Sequence, residues 1–191
     1  MREEGRIWKG LVAGAVAGLA ASWAMNKFQS SWSDVQRHFQ HQSGQDQSSG
    51  GEDATMKTVG AIGHDVLHVE VSREQKEKYA PLVHYAFGTA TGALYGALAE
   101  RYPAVKKKWG TEFASAVFLA ADELAVPAFN LSKPPGESPL SAHIFGWASH
   151  LVYGLATETA RRAVRKTLGK SGKSSRHPRL SQLRAKQYRA A

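Results

Sequence analysis

The chain has 191 residues, a length for one domain or two at most, with 42% apolar residues, 21% charged residues and a formal charge of +9. Zero cysteines exclude a disulfide scaffold, a cysteine zinc site, a thiol nucleophile and a CxxC redox centre. Gly (18) and Ala (29) gather in four blocks with few charges or none, so the local pattern says more than the averages.

The first block, residues 10–26, carries no charge and follows Arg2, Arg6 and Lys9. It reads as a first membrane span, or as a secretory signal with Ala20-Ala21-Ser22 as the cleavage site; Glu3 and Glu4 weaken the second reading. Residues 28–80 carry five basic and eight acidic side chains. Phe28, Trp32 and Phe39 share one helical face there, as aromatic residues do at a membrane interface. Residues 41–54, HQSGQDQSSGGEDA, read as a polar linker too poor in apolar surface to fold. An amphipathic helix is expected over 56–71, and Ser72 with Gln75 forms a capping-box pattern opening another short helix. Pro81 then stands near the start of the second block, residues 81–99, where its missing N–H costs little.

Arg101, Lys106, Lys107 and Lys108 precede the third block, residues 113–132, which holds Asp122, Glu123 and Pro127. The fourth block, residues 138–157, has only His143 and His150 as ionisable groups. Eleven Lys or Arg and a single acid, Glu158, follow it. Helices rise about 1.5 Å per residue and a bilayer core is about 30 Å thick, so each block is at the short end of spanning length. The expected fold is all-α and polytopic: four short Gly/Ala-rich transmembrane helices near 8–27, 81–100, 110–131 and 139–160. They form a membrane domain over 1–168 with an outward loop at 28–80, followed by a basic, unfolded tail over 169–191. Four buried helices of a soluble bundle are the alternative, but the first, second and fourth blocks lack the polar face such helices show. The positive-inside bias places both termini and the 101–108 loop in the cytoplasm. The expected partners are the bilayer and, at the basic tail, anionic lipid headgroups. Nucleic acid is not expected, because the tail holds no recognisable folded module.

Residues 87–100, FGTATGALYGALAE, and 145–158, FGWASHLVYGLATE, share Phe, Gly, Ala, Tyr, Gly and Glu at an offset of 58. The first and third blocks align more weakly, which predicts a two-plus-two array of parallel halves. Gly10, Gly14, Gly18 and Ser22 recur every four residues, as do Gly88, Gly92 and Gly96. Small residues at this spacing form a flat stripe that a second helix approaches closely, either within the bundle or across a homo-oligomer.

No phosphate loop, GxGxxG, GxSxG or HExxH pattern is present, so no catalytic residue, cofactor or metal is expected. Ionisable groups inside spans are costly and face the bundle interior. Counting from opposite ends brings Asp122 or Glu123 level with His150; Glu123 has the longer reach, and the other acid should meet Ser22, Asn26 or water. His143 shares a face with His150, and His84 enters the second span from outside. Asp122, Glu123, His150 and His143 are therefore the candidate polar cluster, able to hold or relay a proton or simply to satisfy one another. Glu100 and Glu158 are equivalent in the repeat, and Glu158 precedes Arg161 and Arg162 at helical ion-pair spacing.

Two longer motifs remain. His150-Leu-Val, Glu158, Arg161-Arg162 and Arg165 make HLVxxxxxExxRRxxR; Ala99-Glu100, Pro103 and Lys106 make AExxPxxK. Pro134-Pro135 precede Ile144-Phe145-Gly146. Across residues 82–165 this pattern resembles the YagU-like group of bacterial inner-membrane proteins of unknown function, with Trp147-Ala148-Ser149 inserted before His150. The resemblance implies an inner-membrane location and brings no catalytic residue with it. The expectation is a non-enzymatic multi-pass inner-membrane protein, in envelope or pH-stress physiology, or else a small proton- or ion-coupled transporter or channel using Asp122, Glu123 and His150.

Overall fold

Glycine and alanine at every fourth position decide how these helices meet. The computed structural model describes residues 2–43 and 52–174, all of them helix or connecting turn, with no strand among the described residues. Helix α1 runs Arg2–Ser43, α2 Ala54–Ala61, α3 Arg73–Arg101, α4 Thr111–Val117, α5 Val126–Ala128 and α6 Leu140–Ser174. A π-helical turn, Ile62–Val66, extends α2, and a second, Phe118–Ala125, joins α4 to α5 into one rod.

Several boundaries differ from the expected ones. Helix α1 continues through the interfacial aromatics and three residues into the expected linker. Phe28 and Trp32 are not left at an interface alone: both rings stack on Phe145 of α6, with centroids 6.1 and 5.9 Å apart. That packing against a second helix carries α1 past the point where its composition turns polar. The linker ends at Asp53, which caps α2 by accepting a 2.8 Å hydrogen bond from the Met56 N–H. The expected 56–71 helix stops at Val66, and the chain is irregular from there to Ser72, with His68 at φ 52°.

The capping box forms as the spacing predicts: Gln75 N–H donates to Ser72 Oγ, and Ser72 N–H to Gln75 Oε1 at 2.9 Å. It opens not a short helix but the whole of α3, with Pro81 inside it. The basic tail is helical as far as Ser174; residues 175–191 and the linker centre at 44–51 lie outside the described residues.

Helix α1 packs antiparallel to α3 and α6, which run parallel to each other. Gly10, Gly14 and Gly18 of α1 face Gly96, Gly92 and Gly88 of α3, so the two stripes lie on each other within one chain. A methyl group built on Gly14 would come 2.9 Å from Gly96 Cα, and one on Gly92 would come 2.6 Å from Gly18 Cα. The next face of α1, with Ala21 and Met25, packs on Tyr153 and Ala156 of α6. Gly154 of α6 meets Ala114 of α4, and Gly146 meets Phe118, so α4 repeats against α6 what α1 does against α3. The turn before α4 needs glycine: Gly110 has φ +79° and its added Cβ would lie 2.9 Å from the Gly154 carbonyl.

Candidate functional site

Where α1, α3, the Phe118–Ala125 turn and α6 diverge, they leave an open cleft of about 880 Å³. Ser22, Asn26, His84, Asp122, His150 and Tyr153 line it, and α2 lies along its mouth through Asp53, Met56 and Thr58. Met56 and Val59 are buried, and Lys76 of α3 pairs with Glu52 at 3.0 Å, which ties the start of α2 to α3.

The π turn sets the two acids. Asp122 faces the cleft, with Oδ2 3.7 Å from His150 Nδ1. That is an ion-pair distance, too long for a hydrogen bond. His150 Nδ1 instead bonds to the Gly146 carbonyl at 2.9 Å, and its ring leans on Phe118. Glu123 turns to the other side and meets His143 Nδ1 at 2.7 Å. His143 Nε2 lies 3.0 Å from the Pro135 carbonyl. Both ring nitrogens face oxygen, so the pair is fully hydrogen-bonded with one proton between Nδ1 and Oε1 and a second on Nε2. The four residues thus form two pairs, not one cluster. Of the two acids that the counting allows, Asp122 is the one beside His150, while Glu123 of the same π turn meets His143. Asp122 also shares the cleft with Ser22 and Asn26. His84 Nε2 is buried and has no hydrogen-bond partner among the described residues. Those residues include no group of three His, Asp or Glu able to hold a metal ion.

A second polar assembly lies at the opposite end of the helices. Glu158 is fully buried and accepts from Tyr95 Oη at 2.9 Å, Arg161 Nε at 2.7 Å and Arg162 Nε at 2.6 Å. Glu100 of α3 takes a bidentate pair from Arg165 of α6 at 2.6 and 2.9 Å. Arg161 bridges the two carboxylates, 3.8 Å from Glu100, and Arg6 of α1 approaches Glu100 at the same distance. The Arg162 guanidinium also lies 4.1 Å from the Trp109 ring centroid. The i,i+3 and i,i+4 pairs of Glu158 follow from the spacing; Tyr95, Trp109 and the Glu100–Arg165 link do not. The identity of Tyr95 and Tyr153 across the repeat is the one sequence signal that could have found part of this.

A family model described as a protein of unknown function, DUF1440, matches residues 47–159. The chain belongs to the DUF1440 family. The match takes in α2 through Glu158 of α6, and so the cleft's acids, its histidines and the Tyr95–Glu158 bond. In this DUF1440 chain α1, outside the match, supplies the Gly10–Gly14–Gly18 face on which α3 packs. No curated protein and no solved structure matches the chain. Among the described residues one helical segment, Gly5–Val35, is long and apolar enough to cross a membrane, with mean hydropathy 1.3 over its most apolar 18 residues.

Proposed function

We propose that this chain is an integral membrane protein of four helical spans with both termini cytoplasmic, and that its role is carried by the polar cleft and not by an enzymatic centre. The observation behind this reading is an inverted distribution of side chains. Trp8, Val12, Val16, Leu19 and Trp23 form one face of α1 and are 37–67% exposed. That face is about 23 Å long at about 1.5 Å per residue. Leu82 and Leu94 on α3, Leu119 and Leu124 in the π turn, and Ile144 and Leu155 on α6 are exposed as well. The interior holds Ala13, Ala17, Ala21, Ala99 and Ala114 together with Ser22, Ser149, Thr157, Glu158 and Arg161. Water favours the reverse arrangement, with large apolar groups inside. In lipid, helices associate through close backbone approach and polar bonds, which is how this interior is built.

Charge supports the orientation. Arg101, Lys106, Lys107 and Lys108, with Arg162, Arg165 and Lys166, stand at one end of the bundle, and the acid-rich 28–80 segment joins the other ends of α1 and α3. The cleft then opens on the outer side. The resemblance to YagU-like proteins supports placing the bundle in a bacterial inner membrane, in envelope or pH-stress physiology. Reporter fusions after Gly51 and after Lys173 should report opposite compartments, with the protein kept in the membrane pellet through alkaline carbonate. The same compartment for both fusions would contradict the four-span reading.

A second reading, proton- or ion-coupled transport, is favoured by one observation: Asp122 and His150 stand in an open cleft beside a π turn, an irregularity frequent at functional sites. It predicts that Asp122→Asn abolishes flux in liposomes while leaving the fold intact. A purely structural role predicts loss of stability instead.

A further inference from the structure

We propose that the cleft binds a small organic ammonium ion, with Asp122 as its counter-ion. The proposal names a ligand for the cleft of the preceding reading, but cleft binding and membrane topology are measured separately and fail separately.

The chain carries +9, yet the cleft lining contains no Lys or Arg. It contains three carboxylates, Asp53, Glu77 and Asp122, and two imidazoles, His84 and His150. Two of the carboxylates are already engaged. Asp53 caps α2 and accepts from Thr55 Oγ1 at 2.7 Å, and Glu77 pairs with Arg73 at 3.1 Å. Asp122 differs. Among the described residues its ion-pair neighbour is His150 at 3.7 Å, through a nitrogen that already bonds to the Gly146 carbonyl. With no Lys or Arg in the lining and no hydrogen bond accepted from the described residues, this half-enclosed carboxylate is open to a charged donor.

His84 Nε2 has no hydrogen-bond partner among the described residues either, and in the tautomer with the proton on Nδ1 it is an acceptor. An ammonium group brings several N–H donors and a charge, and so suits both. An anion would meet three carboxylates. A bare metal ion lacks a set of three ligating side chains there. Much of the rest of the wall is apolar, with Met25, Val83, Phe87, Phe129 and Tyr153 beside the uncharged polar Asn26 and Thr91. These would contact a hydrocarbon or aromatic body, and aromatic faces attract a cation. About 880 Å³ is within the size of small-molecule sites.

The test uses the full chain in nanodiscs of zwitterionic lipid, which do not concentrate cations. Phenethylammonium and butylammonium are titrated by calorimetry beside phenethyl alcohol and phenylacetate. The expected result is saturable binding of phenethylammonium at one site per chain. The alcohol and the Asp122→Asn variant should each bind at least about tenfold more weakly. Ala121→Leu, which fills the cleft wall without touching charge, should abolish binding and serves as the deciding variant if Asp122→Asn does not fold. No saturable binding of either ammonium probe, equal binding of the alcohol, or undiminished binding by Ala121→Leu overturns the proposal.

Discussion

Tyr95 of α3 donates a 2.9 Å hydrogen bond to Glu158 of α6, and Tyr153 of α6 returns one of 2.6 Å to the Gly88 carbonyl of α3. The two tyrosines are separated by the 58 residues of the sequence repeat. Each repeat thus fastens itself to the other with the same side chain, one bond in each half of the helix pair. The first of these holds a fully buried carboxylate that also neutralises Arg161.

Removing the Tyr95 hydroxyl takes one donor from a charged acceptor. Tyr95→Phe should therefore lower stability by about 1.5–3 kcal/mol. Glu158→Gln leaves Arg161 buried without its closest counter-ion and should cost more, about 3–5 kcal/mol. Glu100→Gln should cost less than Glu158→Gln, because Arg165 is more exposed and can turn to solvent. Thermal unfolding in one detergent ranks the three; a Glu100 variant worse than the Glu158 variant would show that Glu100 is the central carboxylate.

The glycine stripes give a test on packing. Gly92→Leu and Gly14→Leu place side chains into the backbone of the facing helix, where no flexible group can yield. Each should cost about 3 kcal/mol or more, at the upper end of overpacking. Leu94→Ala, on the exposed face, should change stability by at most about 0.5 kcal/mol. Because the stripes meet within one chain, the oligomer mass of the folded fraction should stay unchanged. A shift in mass with stability intact would move the stripes to a subunit interface.

The two acid–histidine pairs predict different couplings. Glu123→Ala and His143→Ala should lose less together than the sum of their separate losses, by roughly 0.5–1 kcal/mol, since both groups are partly solvated. Glu123→Ala with His150→Ala should be additive, because Glu123 bonds to His143 instead. Stability cycles on both pairs distinguish this arrangement from one in which Glu123 reaches His150.

Much of this could be read in the sequence, and the gaps have physical causes. The glycine stripes and the Ser72–Gln75 box are local patterns, and helical periodicity is enough to read them. The ion pairs of Glu158 with Arg161 and Arg162 are equally local. Asp122 and Glu123 lie in a π turn, and no residue type in Phe118–Ala125 announces one. Composition ends the first span near residue 27 because the support for the residues past it comes from Phe145, more than a hundred positions away. Pro81 divides Arg73–Arg101 into a short helix and a separate span in the sequence, but the proline follows two turns of helix already nucleated by the capping box and the helix is continuous. Tyr95 and Trp109 lie far along the chain from α6, and only its approach makes them partners of Glu158 and Arg162.

The central claim is that this inverted bundle crosses a membrane four times. The chain has no cysteine, so single cysteines placed by substitution report their own surroundings. Thr58→Cys and Ser132→Cys lie at the cleft end, Lys107→Cys and Thr167→Cys at the arginine-rich end. In intact bacterial cells a membrane-impermeant maleimide should label the first two and leave the last two unlabelled until the membrane is permeabilised. Labelling of all four before permeabilisation, or recovery of the protein in the soluble fraction, would contradict the account.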